Sequence, residues 1–212
     1  MATYGVTYDV VQQEKYDRTQ IAIRLLILIV LGVLANALGW ILGLAYLIIP
    51  IVAAILISQK GAPAYFEESP KGMQRWLAYL AAVYSYFYML TDKFALDDPR
   101  TGIRFDVQPS GEPTAGNVLL RIILAIPHAI VLGLLGIVAF ILAIIAAIMI
   151  LANETYSEGI FDFLRGYMRW HARLYVYLAG FVQDYPPFAL DTGSESPASP
   201  PPPQQEAPTG AG

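Results

Sequence analysis

The chain contains no cysteine, which excludes disulfides, thiolate metal sites and a cysteine nucleophile. Charge is scarce too. Asp, Glu, Lys and Arg make up 14% of the 212 residues, against roughly a quarter in an ordinary soluble domain. The shortage is concentrated, because no such residue occurs between Leu25 and Gln59 or between Ile122 and Asn153. Only two histidines are present, His128 and His171, too few without cysteine to build a metal site. No G-x-S-x-G, H-E-x-x-H or P-loop pattern occurs, so no enzyme, catalytic residue or cofactor is expected. The net charge of −4 argues against nucleic acid as a partner.

What fills the space is apolar. The two long runs are Ile21 to Ile57 and Val118 to Ala152, each longer than the roughly 18 residues that mark a membrane span. An all-α integral membrane protein is therefore expected. The first twenty residues carry Asp9, Glu14 and Asp17 and no short apolar core with a cleavage site, so the first run is expected to insert uncleaved.

The runs belong to a repeat. Gly5-Val-Thr-Tyr-Asp-Val10 matches Gly102-Ile-Arg-Phe-Asp-Val107, and Arg24-Leu-Leu matches Arg121-Ile-Ile. Arg75-Trp76 matches Arg169-Trp170, and Phe94-Ala-Leu-Asp97 matches Phe188-Ala-Leu-Asp191. Four markers in one order divide the chain into two homologous units, 1–98 and 99–192. Residues 193–212 form a Pro/Ser-rich tail with no large apolar side chain, expected to be disordered. Each unit is expected to hold a short β-strand, a long apolar helical hairpin and an amphipathic aromatic/basic helix. The strands, Val6–Val10 and Ile103–Val107, alternate apolar and polar residues and can pair with each other.

A helix of 35 to 37 residues would reach over about 50 Å, well beyond a ~30 Å hydrocarbon core. Each run is therefore one projecting helix or a folded-back hairpin. Turn material lies at mid-run, Asn36-Ala-Leu-Gly39 and Gly133-Leu-Leu-Gly136, and all thirteen Lys and Arg lie outside the runs or at their first turn. In hairpins every basic residue falls on one face, which the positive-inside rule makes cytoplasmic. Charge placement thus favours hairpins and cytoplasmic termini.

In the second unit's third helix Arg165, Arg169 and Arg173 recur every four residues, with Trp170 and other aromatics to the side. This pattern suits a helix lying among anionic headgroups, or one with an ordinary solvated face over a bundle. The first copy, Met73 to Leu90, has Arg75 as its one charge, and either sinks deeper or spans.

The second unit resembles the bacterial membrane family catalogued as domain of unknown function 4389. The resemblance rests on Arg121-Ile-Ile-Leu-Ala-Ile-Pro-His128, Gly159-Ile-Phe-Asp-Phe163, Met168-Arg-Trp170 and Asp184-Tyr-Pro-Pro-Phe-Ala-Leu190. The first unit has Val30-Leu31 in place of Pro127-His128 and looks like a diverged copy. The resemblance implies a multi-pass protein of the bacterial inner membrane and brings no activity with it.

Arg121 and His128, seven residues apart, form the candidate intramembrane polar site. The functional reading is a proton relay or headgroup site; the plainer one is a histidine bonded to backbone loosened by Pro127. The expected role is a scaffold or accessory subunit of a membrane complex with anionic-lipid contacts and a protein partner or a homo-oligomer. The alternative is a small transporter or channel built from the duplication.

Overall fold

The computed structural model describes residues 4–35, 37–69, 71–94 and 98–191, and side chains outside 30–42. The chain is mostly helical. The elements are β1 (Val6–Asp9), α1 (Arg18–Ala35), α2 (Ala37–Lys60), α3 (Ala62–Glu68) and α4 (Met73–Phe87). After a 3-10 turn (Pro99–Thr101) come β2 (Arg104–Val107), α5 (Ala115–Leu124), α6 (Ile126–Asn153) and α7 (Glu158–Leu178). Two helical stretches, Gly43–Lys60 and Ile126–Asn153, are long and apolar enough to cross a membrane. The expected tail lies outside the described residues, as do Ala95-Leu-Asp97 of the repeat.

The second apolar run is not a hairpin. Thr114 caps α5, its Oγ1 accepting from the N–H of Asn117 at 3.3 Å. Ala125 alone separates α5 from α6, with helical φ −78° and ψ −16°. Ala125 N–H bonds the Arg121 carbonyl (2.8 Å) and Ala129 N–H the Ala125 carbonyl (2.9 Å), while the ladder is interrupted between them at Pro127, which has no N–H to donate. Residues 115–153 therefore advance in one direction as two helices joined end to end, a rod of about 58 Å at ~1.5 Å per residue. Gly133 and Gly136 lie inside it. Helix satisfies its own backbone in apolar surroundings, whereas a turn there would strand N–H and C=O groups. Gly136 serves a close approach instead, since a Cβ on it would meet Tyr167 Oη at 2.9 Å.

The first run does not fold back either. Arg18 Nη2 donates to the Ala152 carbonyl at 2.8 Å, and Leu25 and Leu28 of α1 share a groove with Phe140 and Ile144 of α6. Further on, Gly43 and Leu47 of α2 face Ala129 and Gly133, and Ile57 and Val118 both lie beside Gly180. Thus α1 and α2 advance in one direction, antiparallel to the second rod. A hairpin would have returned Ile57 to the level of Arg24. Asn36 of the expected tip is outside the described residues, and Ala37 to Gly39 are within α2.

Along the second rod one stripe is buried: Val118, Arg121, Ala125, His128 and Leu132, then Ala139, Ala143, Ala146 and Ile150. Steps of three and four residues keep that stripe on one side of the helix. Against it lie α4 and α7, antiparallel to each other, and α7 has sixteen of its twenty-one residues buried. Outside α7 sits the ribbon. As expected from the two short alternating segments, β1 pairs with β2, antiparallel, with Val6 opposite Val107 and Asp9 opposite Arg104. The molecule therefore has three layers: rods, then α4 with α7, then ribbon.

Candidate functional site

The polar groups of the middle layer are the candidates. Arg165, Arg169 and Arg173 are all buried. Arg165 Nη2 meets Asp162 Oδ1 at 2.6 Å, with Asp9 at 3.8 Å. Arg169 Nε donates to the Tyr8 carbonyl at 3.0 Å, its Nη2 to Asp9 Oδ1 at 3.2 Å, and its Nη1 to the Asp191 carbonyl. Arg173 pairs with the Asp191 carboxylate and donates to the Ala189 carbonyl. The stripe expected to face anionic headgroups thus faces inward. Its guanidinium donors fasten β1 on one side and residues 189–191 on the other. Sequence periodicity separates two faces of a helix but does not say what covers each, and here both are covered. Trp170 is likewise buried, donating from Nε1 to His128 Nδ1 at 2.9 Å.

Asp9 and Asp106, equivalent in the repeat, do not meet. Asp9 is buried on the arginines, whereas Asp106 is 64% exposed and 4.0 Å from Arg100.

Arg121 and His128 share the buried stripe without sharing partners. The fully buried His128 accepts from Trp170 at Nδ1, so its neutral ring carries the proton on Nε2. Its ring stacks on Phe188, with centroids 4.0 Å apart and planes 13° apart, and Tyr185 lies at 4.8 Å. Nε2 has no hydrogen-bond partner among the described residues. This cage anchors the segment after α7 to the rod.

Arg121 belongs to a different pattern, one shared with Arg24. Arg121 Nη1 donates to the Val182 carbonyl at 2.7 Å and also to that of Tyr177 at 2.5 Å, and its guanidinium lies 4.5 Å from the Tyr177 ring centroid. Arg24 Nη2 donates to the Thr91 carbonyl at 2.8 Å and to Asp92 at 2.9 Å, and lies 4.3 Å from the Tyr86 ring centroid. The helix ends beneath them match as well. Leu90 N–H bonds the Ser85 carbonyl and Phe181 N–H that of Val176, each past a left-handed residue, Met89 (φ 61°) or Gly180 (φ 80°). Glycine adopts that conformation without strain; methionine does so at some cost. The signal for these partners was present in Tyr84-Ser-Tyr86 and Tyr175-Val-Tyr177, set at the same spacing before Leu90 and Phe181. The four markers used to define the repeat passed over it.

His171 lies on the far side of α7, its Nδ1 3.1 Å from the Tyr167 carbonyl. Burial pushes its pKa down to about 4, opposed by that backbone contact. The ring borders a cavity of about 430 Å³ between α2 and the second rod, also lined by Tyr46, Gly43 and Gly133. Among the described residues there is no cluster of three or more His, Asp or Glu that would hold a metal ion.

Residues 116–189 match the family model described as Domain of unknown function (DUF4389). The match takes in nearly all of α5, all of α6 and α7, and the Tyr185–Phe188 contact with His128, and so includes Arg121, His128 and the buried arginines of α7. No curated protein and no solved structure matches the chain.

Proposed function

We propose that this chain is a non-enzymatic membrane protein that serves as a scaffold or accessory subunit of a bacterial inner-membrane complex. The observation that carries this reading is the outer face of the two rods. Ile123, Ile130, Leu134, Ile137, Ile141, Ile144 and Ile148 are all exposed, in a run with no charged residue from Ile122 to Asn153. Exposed apolar surface on this scale marks a membrane or protein contact. The buried arginines and His128 are engaged in joining layers, which supports a structural role for them over a chemical one. The tandem reading of units 1–98 and 99–192 is supported by the matched surroundings of Arg24 and Arg121.

The test is purification of the tagged chain from native membranes in mild detergent, with mass spectrometry of what accompanies it. A stoichiometric protein partner is expected. A homo-oligomer carrying lipid alone, with solute flux in proteoliposomes that is lost in His128→Ala, would replace this reading with transport.

A further inference from the structure

Resting on the membrane reading above, we infer that the two rods lie in the plane of a single leaflet and do not cross the bilayer. The occupant of the apolar face is lipid, on one side of the molecule only.

Three observations carry this. The first is length. The second rod, residues 115–153, is about 58 Å, nearly twice a ~30 Å hydrocarbon core. The second is where the charged ribbon sits along that length. Arg104 is opposite Asp9 in the ribbon, and Asp9 and Tyr8 bind Arg169. Beside Arg169 on α7, Trp170 bonds His128 and Tyr167 abuts Gly136. The ribbon therefore lies over residues 128–136, the middle of the rod. If the rods stood perpendicular to the membrane, that middle would be at the bilayer centre. Exposed Arg104, Asp106 and Arg100 would then face hydrocarbon, where charged side chains are strongly disfavoured.

The third observation is the layering itself. Rods, α4 with α7, and ribbon succeed one another in one direction, from an uncharged exposed face to a charged one. Charge complementarity follows that direction: the rods present apolar side chains to acyl tails and the ribbon presents ions to water. The rod ends carry Lys15, Arg18 and Glu154 at one end and Lys60 and Glu68 at the other, all with solvent-accessible side chains. In the plane of a leaflet both ends reach the same headgroup layer, where long cationic side chains extend to water.

The native chain is free of cysteine, so single cysteines report directly. Lys15→Cys, Lys60→Cys and Asp106→Cys, each in the full chain, are treated with an impermeant maleimide in right-side-out and in inverted membrane vesicles. All three are expected to label from the same face and to be protected from the other. Labelling of Lys15→Cys and Lys60→Cys from opposite faces would overturn the in-plane arrangement and leave the membrane reading intact. Recovery of the chain in the soluble fraction, its apolar faces buried in a dimer of two copies, would overturn both.

Discussion

Replacing Arg169 by methionine separates an internal tie from a headgroup contact. The guanidinium is almost wholly buried and holds three groups at once: the Tyr8 carbonyl, the Asp9 carboxylate and the Asp191 carbonyl. Methionine fills much of the same volume and donates nothing. Asp9 then keeps Arg165 at 3.8 Å, in a site where the carboxylate is 6% exposed. Removing one partner of a buried ion pair costs roughly 3–5 kcal/mol. The residual Arg165 contact places Arg169→Met near 3 kcal/mol at the low end of that range. For a chain of this size each kcal/mol moves Tm by about 2–4 °C, so a fall of roughly 6–12 °C is expected. The assay is thermal unfolding of the detergent-purified protein, run with Asp9→Asn and with the double variant. Removing the stranded carboxylate should make the double variant more stable than the sum of the single changes predicts, by about 0.5–3 kcal/mol. An unchanged Tm in Arg169→Met, with weaker binding to anionic vesicles, would refute the buried tie and restore a lipid-facing stripe.

Two glycines in the second rod should respond in opposite ways. Gly136→Ala drives a Cβ to 2.9 Å from the hydroxyl of Tyr167, whereas a Cβ on Gly133 meets nothing within 4 Å. Gly136→Ala is expected to destabilise by about 1–3 kcal/mol through overpacking and to be rescued by Tyr167→Phe, with Gly133→Ala neutral or up to about 1 kcal/mol stabilising through helix propensity; equal effects at both sites by thermal unfolding would count against the continuous rod. Acid should expose His171. Its folded pKa of about 4 lies below the ordinary histidine value of 6.5, so between these values the unfolded chain binds the extra proton. Stability is then lost as pH falls from 6.5 towards 4 and, for this group, is level below that, with a total of about 3 kcal/mol. Tm measured from pH 7.5 to pH 4.5 should fall less in His171→Leu than in the native chain; parallel curves would remove His171 from the account.

Periodicity and charge carried part of this architecture in plain view. The uncharged runs, the two pairing strands and the recurrence of Arg24-Leu-Leu as Arg121-Ile-Ile are all legible, because each depends on local pattern or on self-similarity. The path of the runs is not. Small residues at mid-run read equally as turn material and as sites of close helix contact, and Gly136 is the second kind. The orientation of Arg165, Arg169 and Arg173 was hidden for a related reason. Apart from Asp162 beside Arg165, partners such as Tyr8, Asp9, Ala189 and Asp191 are distant in sequence or beyond the helix, and a helix sandwiched between layers has no single outward face for amphipathicity to reveal. His128 was singled out for being ionisable among apolar residues, yet its aromatic cage depends on a chain reversal after α7 that no spacing announces.

The draping of residues 4–17 along α7 sets an order on how the molecule is made. Tyr8 and Asp9 meet Arg169, Tyr4 Oη donates to the Asp184 carbonyl, and Tyr16 N–H donates to the Glu154 carbonyl. Residues 4–17 leave the ribosome well before α7 and therefore wait for these partners. Until α7 is synthesised, β1 has an unpaired edge or β2 alone, and both rods must already be held where their apolar faces are shielded from water. Closure of the ribbon over α7 thus cannot precede synthesis of Glu158–Leu178, and a nascent chain halted before Glu158 leaves Tyr8 and Asp9 without Arg169.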